Sequence, residues 1–325
     1  MKIPPSFEKG RHGQVCRHRK SLYGLKQAPR YWFTKFADAL RQYGFVQSYS
    51  DYSLFTYSRK ATRLNVLVYD DDLIIAARSR EGIFLCQRKY ALDIISEAGI
   101  LESKPVTFPM EQNQKLGLST SPELTDEDKY RQKPKEDHWV AGLRVVRYLK
   151  GSPGQGVLLQ LENTLVLQGR YDSDSAACPT TRRSVTGWTV FLGSSPLSWN
   201  SKKQDTVSLS SAEVEYRAMA KLTCELKWMR GLLECVGVRL QGPMQVYYDS
   251  LSALHLARNP VFHERSKHIE IDCHFLRDAL LDGTISASHV STSSQLADII
   301  TKPLVANLFE SFLSKLGIHN LHAPT

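Results

Sequence analysis

The second half of the chain contains a regular succession of strands and helices, and this order restricts the possible folds more than any other feature. After Gly156 the apolar spacing predicts three consecutive strands, the first over VLLQLENTLVLQGRYD. A long helix over 210–238, a strand over 244–249, two helices, a strand over 284–290 and two short helices follow. The order β-β-β-α-β-α-α-β-α is typical of one α/β domain in which a three-strand meander belongs to a mixed sheet.

Carboxylate side chains fall at the ends of several of these elements, where strand ends and helix starts converge in open α/β sheets. They are, in chain order, Asp172, Asp174, Glu213, Glu215, Asp249 and Asp298, with His289 at the end of the last strand. Taken singly, each carboxylate is better explained as a solvated turn or capping residue. Brought together, they would repel one another and lose hydration unless cations compensated them. Two Mg²⁺ ions would do so, and such a pair is typical of enzymes that hydrolyse phosphodiesters.

The first half contains a second acidic motif, the three consecutive aspartates of VLVYDDDLII, residues 66–75. One interpretation is a hairpin with an acidic turn, and the other is a metal site at a hairpin tip. Upstream, Pro29 begins a predicted helix, and two strands are predicted over 54–58 and 64–69. From Ser79 to Gly156 the periodicity weakens. That section is predicted to be connecting structure with a short helix over 138–151.

The charge balance is basic, with 42 Lys+Arg against 33 Asp+Glu and a net charge of +9. Eight Lys and Arg and one acidic residue, Glu8, fall within the first 30 residues, which favours a nucleic-acid partner over a merely basic surface. The six cysteines show no CxxC pairing, and no signal peptide or membrane-length apolar run is present. We therefore expect a soluble protein of the cytoplasm or nucleus, with no membrane contact. No stable protein partner is inferable from the pattern.

Four residues could suggest zinc, but their spacing matches no usual zinc arrangement. They are His263, His268, Cys273 and His274.

Longer motifs carry a family resemblance. SKKQDTVSLSSAEVEYRAM, VYYDSLSALHLARNPVFHERSKHIEIDCHFLRD and HVSTSSQLADIITKPL resemble the ribonuclease H domain of copia-type long-terminal-repeat retrotransposons. The segment from MKIPPSFEKG through KSLYGLKQAPRYW to LVYDDDLII resembles the reverse transcriptase of the same Pol polyprotein. The resemblance implies an α/β fold: a ribonuclease H-like mixed five-stranded sheet with helices on both faces, preceded by an incomplete reverse-transcriptase palm. The implied division is a truncated palm fragment over 1–78, residual palm, thumb and connection with internal gaps over 79–156, a ribonuclease H domain over 157–318 and a tail over 319–325.

The resemblance also assigns site residues. Asp172, Glu215, Asp249 and Asp298 would hold two Mg²⁺ ions, and His289 would correspond to the family's mobile histidine near the scissile phosphate. The implied activity is hydrolysis of the RNA strand of RNA–DNA hybrids. The implied partner is such a hybrid or another nucleic acid. Ser175 and Leu251 depart from the family pattern beside the first and third of these carboxylates.

The same resemblance implies that Asp71 and Asp72 are the remnant of a polymerase site, in which they would be the pair of aspartates that binds metal. Asp70 stands where the family usually has an apolar residue. The family's further polymerase aspartate lies upstream of the matched segment, and two internal blocks have no counterpart here. We therefore expect polymerase activity to be lost. The alternative for the whole chain is a non-catalytic nucleic-acid-binding relic of a decayed retrotransposon.

Overall fold

The computed structural model describes residues 28–59, 62–67, 75–78, 82–112, 114, 116–123, 135–240, 242–250 and 270–320. The chain divides into two compact units. The first extends to Asp72 and includes Cys235–Gly237, and the second contains the other residues from Leu73 onward.

The described helices and strands are short to medium in length. The α-helices are α1 Ala28–Gln42, α2 Arg88–Glu97, α3 Glu136–Gly151, α4 Ser211–Cys235, α5 Glu270–Leu281 and α6 Ala306–Lys315. The strands are β1 Val46–Gln47, β2 Leu54–Arg59, β3 Thr62–Leu67, β4 Ile75–Arg78, β5 Gly82–Cys86, β6 Gln155–Gln160, β7 Leu167–Asp174, β8 Val185–Leu192, β9 Ser195–Lys203, β10 Met244–Tyr248, β11 Ile285–His289 and β12 Ile318–Asn320. Three 3-10 helices are Leu116–Leu118, Thr292–Ser294 and Leu296–Ile300. Within the described ranges, no helix combines the length and the apolar composition that crossing a bilayer requires.

The first unit contains α1 and a three-stranded antiparallel sheet with the order β1-β2-β3. Phe55 of β2 is fully buried, and its ring centroid lies 6.3 Å from that of Phe33 in α1. The helix predicted after Pro29 and the predicted pair of strands are therefore confirmed.

The arms of the predicted VLVYDDDLII hairpin belong to different sheets, which differs from the sequence-based expectation. β3 pairs with β2, whereas β4 pairs with β5, with Ile75 opposite Cys86 and Arg78 opposite Ile83. Only residues 79–81 separate β4 from β5 in the sequence, so the pairing of these two strands closes a short loop. The aspartates between the two arms lie outside the described residues.

The middle of the chain forms more regular structure than the weak periodicity predicts. β4, β5, β6 and β12 form a four-stranded antiparallel sheet in the order β12-β6-β5-β4. The helix predicted over 138–151 is confirmed as α3. β6 and β12 extend across the predicted domain boundaries at 156/157 and 318/319, and these boundaries stay predictions.

The stretch predicted as one strand over 157–172 forms two strands in different sheets. β6 lies in the four-stranded sheet and β7 in the five-stranded one. Asn163 lies between them. Its side-chain Nδ2 donates to the Leu192 backbone carbonyl, and its side-chain Oδ1 accepts from the Ser194 backbone N–H at 2.9 Å. Because the Asn163 side chain bonds two backbone groups at the β8–β9 turn, the chain changes sheets at this position, although apolar residues lie on both sides of it.

The second sheet of this unit has five strands in the order β11-β10-β7-β8-β9. β7, β8 and β9 form an antiparallel meander, while β10 runs parallel to both β7 and β11. This arrangement confirms the predicted mixed five-stranded sheet. It also places β7 and β10 side by side with their carboxyl ends at the same edge.

Helices cover both faces of this sheet, as predicted. Side chains alternate between the faces along a strand, so the neighbours Val190 and Phe191 of β8 point to opposite sides. Val190 belongs to a buried cluster that includes Leu222 of α4 and Leu276 of α5. Phe191 belongs to another buried cluster that includes Phe312 of α6 and Leu296 of the third 3-10 helix.

Gly187 of β8 lies where the segment after the third 3-10 helix crosses the sheet. A methyl group on Gly187 would lie 2.5 Å from Thr301 Cγ2 and 3.0 Å from Ile300 Cγ1. The absence of a side chain therefore permits this close approach.

We predict that Gly187→Ala lowers the free energy of unfolding by about 1–3 kcal/mol, because overpacking forces neighbours out of their rotamers. Without a clash, alanine is slightly favoured over glycine in a strand, so a loss of stability would show that the added methyl group clashes with its neighbours. Denaturant titration measures the change. Ser201→Ala, at the exposed position opposite Gly187 on β9, is the control and should change stability by less than about 0.5 kcal/mol. Equal stabilities would contradict the packing described here.

Candidate metal centre

Three of the predicted carboxylates meet at one edge of the five-stranded sheet. Asp172 lies near the end of β7, Asp249 directly follows β10, and Asp298 lies in the third 3-10 helix. A carboxylate oxygen of each lies within 4.8 Å of the others. Asp172 and Asp298 are buried, and Asp249 is partly exposed. This grouping has the composition and spacing of a site for a hard cation.

The position of Asp298 is set by a buried glutamine. Gln295 is fully buried, and its side-chain N–H donates to the Tyr171 carbonyl at 2.9 Å. The same side chain accepts from the Ala297 backbone N–H at the start of the 3-10 helix. Gln295 thus ties the helix that carries Asp298 to the residue before Asp172.

The two residues that follow this helix, Thr301 and Lys302, bind the buried carboxylates directly. The Thr301 hydroxyl donates to Oδ2 of Asp172. The Lys302 ammonium lies 3.0 Å from Oδ1 of Asp172 and 3.0 Å from Oδ1 of Asp298. Burial alone would lower the pKa of Lys302, but its attraction to Asp172 and Asp298 and its hydrogen bonds to them raise it above the ordinary value.

Glu215 of α4 is the fourth predicted ligand, and it lies beside the three aspartates rather than within their 4.8 Å group. Burial is the main cause that raises the pKa of Glu215 to about 7, and repulsion from Asp172 and Asp249 adds to the shift. Ser173 and Lys302 act in the opposite direction. Among the described residues, its buried Oε2 has no hydrogen-bond partner.

Asp298 shows the same imbalance of charge. Burial and the nearby Asp172 carboxylate raise the pKa of Asp298 to about 6, although Lys302 opposes the shift. One ammonium therefore leaves the cluster short of positive charge.

Glu213, two residues before Glu215, already has partners. Its carboxylate lies 2.9 Å from Arg217 and accepts from the Leu209 backbone N–H at 2.8 Å. Contacts of this kind are typical of a residue that stabilises the start of a helix.

His289, the predicted mobile histidine, ends β11 at the rim of the cluster. Its Nε2 lies 3.2 Å from the backbone carbonyl of Asp249, and its ring meets that of Tyr248 edge-on at 5.8 Å. His289 is exposed, so it borders the carboxylates without occupying the space between them.

Some of the other positions singled out from the sequence lie outside the described residues. Asp71, Asp72 and Leu251 lie outside the described residues. Ser175 is exposed directly after β7. On α5, Cys273 is buried in the core while His274 is exposed, so these two candidate zinc ligands point apart.

Comparison with known proteins relates both halves of the chain to one polyprotein. The sequence model of a family described as reverse transcriptase (RNA-dependent DNA polymerase) matches residues 1–81. The retrovirus-related Pol polyproteins from the Arabidopsis thaliana transposons RE1 and RE2 are 38% and 37% identical over 98% of this chain. The chain belongs to the copia-type retrotransposon Pol family.

The chain spans about a quarter of the Pol polyproteins that it matches, 26% of each of the two from Arabidopsis. Their alignments extend over 380 positions, more than the 325 residues of this chain, so the two relatives contain positions without a counterpart here. A ribonuclease H1 from the archaeon Halobacterium salinarum is 15% identical, covering 41% of this chain and 92% of its own, with a TM-score of 0.29. That superposition adds nothing to the strand order described above.

Three residues of this centre were not predicted from the sequence. Gln295, Thr301 and Lys302 lie in the HVSTSSQLADIITKPL motif, in which only His289 and Asp298 carried expected roles. Lys302 lies four positions after Asp298, a spacing at which opposite charges often pair, and this was the available signal for Lys302.

We predict that Glu215 destabilises the metal-free fold as the pH rises. Its folded-state pKa of about 7 exceeds the ordinary 4.5, so the folded chain binds this proton more tightly than the unfolded chain. The contribution of this bound proton to the free energy of unfolding is fully present below about pH 4.5 and is lost as the pH rises to 7. In EDTA, the free energy of unfolding of Glu215→Gln should therefore fall less between pH 5 and 7 than that of the parent.

The control for this experiment is Glu310→Gln, the same change at an exposed position of α6, which should follow the parent curve. If Glu215→Gln also followed the parent curve, the burial of this carboxylate would not carry the energy assigned to it.

Proposed function

We propose that the C-terminal part of the chain is a divalent-metal-dependent ribonuclease that hydrolyses the RNA strand of RNA–DNA hybrids. The observation that carries the proposal is the convergence of Asp172, Asp249 and Asp298 from three separate elements. Membership of the Pol family supports the same activity.

The donor set fits Mg²⁺. Hard divalent cations prefer carboxylate oxygens, and the four predicted ligands, Asp172, Glu215, Asp249 and Asp298, offer no softer donor. The unpartnered buried oxygen of Glu215 supports its role as the fourth ligand. We propose that these four residues hold two Mg²⁺ ions.

When bound, the ions would supply an activated water and stabilise the leaving 3′ oxygen. The chain itself would contribute orientation: β7 and β10 hold Asp172 and Asp249 at one sheet edge, and Gln295 fixes the helix carrying Asp298. His289 lies at the exposed rim, where it can reach a bound phosphate or a departing product.

Exposed basic residues support a nucleic-acid partner. In the sheet, Asp174 pairs with Val185 and Val185 pairs with Lys203, so the end of β9 lies at the same edge as the carboxylates. Lys202, Lys203, Arg182 and Arg183 are all exposed at this edge. Such side chains would hold the phosphates of a hybrid beside the centre through sequence-independent attraction.

We propose that polymerase activity is lost. The proposal rests on Asp70, which stands where the family usually has an apolar residue, and on the two internal blocks of the family that have no counterpart in this chain. We also propose a cytoplasmic or nuclear location, because the six cysteines show no pairing pattern of the kind that disulfide frameworks have.

One observation favours a second candidate, a non-catalytic nucleic-acid-binding relic. The Lys302 ammonium already bonds Asp172 and Asp298, so part of the cluster is neutralised without metal. A decayed nuclease would retain this internal pair and its basic surface while having no turnover.

We predict that the full chain cleaves a labelled RNA–DNA hybrid in Mg²⁺ and that Asp249→Asn lowers the rate by at least about 100-fold, because one carboxylate ligand is lost. Gel electrophoresis of the labelled RNA measures the rate, and circular dichroism establishes that the variant is folded.

Asp93→Asn, at an exposed position of α2, is the matched control and should cleave like the parent. Cleavage by Asp249→Asn at the parent rate would overturn the site assignment. Absence of cleavage by a folded parent that still binds the hybrid would favour the relic.

A further inference from the structure

The Lys302 ammonium lies between two buried carboxylates of the proposed metal centre. It is 3.0 Å from an oxygen of Asp172 and 3.0 Å from one of Asp298. The side chains of these aspartates are only 3% and 5% exposed, so neither charge is well solvated. Lys302 therefore supplies part of the charge compensation that a divalent ion would supply.

A backbone hydrogen bond fixes the position from which the Lys302 side chain extends. The Lys302 N–H donates to the Asp298 carbonyl at 2.9 Å, at the turn that ends the 3-10 helix. The preceding residue, Thr301, donates its hydroxyl to the other oxygen of Asp172. Both oxygens of Asp172 are thus occupied by donors from two consecutive residues.

A divalent ion and the ammonium cannot both use these oxygens as they now stand. Mg²⁺ binds carboxylate oxygens at about 2.0–2.1 Å, and a cation held at that distance would repel an ammonium bonded to the same atoms. Lys302 is 35% exposed and has a long, flexible stem, so its ammonium has a route into solvent.

We propose that Lys302 is the internal counter-cation of the centre: it partly neutralises Asp172 and Asp298 in the metal-free chain and must leave at least one of them when a divalent ion binds. This inference deepens the proposed function and rests on its metal centre. It has two consequences: the fold is stable without metal, and metal binding includes the cost of displacing the ammonium.

The test is isothermal titration of the full chain with Mn²⁺, comparing the parent with Lys302→Met and Lys302→Gln. Methionine keeps the stem without the charge, and glutamine also keeps a hydrogen-bond donor. Both variants should bind Mn²⁺ about tenfold more tightly than the parent, because no ammonium competes. Lys104→Met, the same loss of charge at an exposed position, should bind like the parent.

Thermal unfolding provides the second readout. In EDTA both Lys302 variants should unfold at a lower temperature than the parent, and Mn²⁺ should raise their midpoints by more than it raises that of the parent. A variant that folds only in the presence of Mn²⁺ would support the proposal equally, since the metal then replaces the lysine. Failure to fold in either condition by both variants would overturn it.

The outcomes separate this inference from the nuclease itself. Unchanged or weaker Mn²⁺ binding by the Lys302 variants, alongside hybrid cleavage by the parent, would overturn the role of Lys302 and leave the nuclease intact. Tighter binding without any hybrid cleavage would support the role of Lys302 and overturn the nuclease. No Mn²⁺ binding by any variant would overturn both.

Discussion

Asp172 and Asp298 are almost completely buried, and their carboxylates lie close to those of Asp249 and Glu215. Burial is the main cause that raises the pKa values of Glu215 and Asp298, and repulsion between the neighbouring carboxylates adds to the shift. Lys302 offsets part of it. The rest of the second unit is arranged so that this unfavourable cluster is nevertheless held together.

The sheet provides the holding geometry. β7 pairs with β10 up to Arg170 and with β8 as far as Asp174, so Asp172 lies on a strand that is anchored in the middle of the sheet. Buried apolar clusters pack the helices against both faces of the sheet. A hydrogen bond from Gln295 to the Tyr171 carbonyl connects the third 3-10 helix to β7. A site built on paired strands keeps its ligands in place when no ion is bound.

The sequence predicted the order of elements, the mixed sheet and the residues that converge, because parallel strands necessarily end at a common edge. It did not reveal that residues 157–172 divide between two sheets, since apolar residues on both sides of Asn163 concealed the side-chain bonds that this residue makes. It also missed Lys302 and Gln295. The contacts of Gln295 with Tyr171 and of Lys302 with Asp172 span more than 100 positions, and no local periodicity encodes such contacts.

The central claim is that the four carboxylates form one metal centre whose metal-free charge is balanced by Lys302. Anomalous diffraction from crystals of the full chain grown with Mn²⁺ tests it most directly. The account predicts Mn²⁺ peaks bounded by Asp172, Asp249 and Asp298, with the Lys302 ammonium withdrawn from at least one aspartate. Mn²⁺ bound elsewhere, or an ammonium still bonded to both aspartates beside the ion, would contradict it.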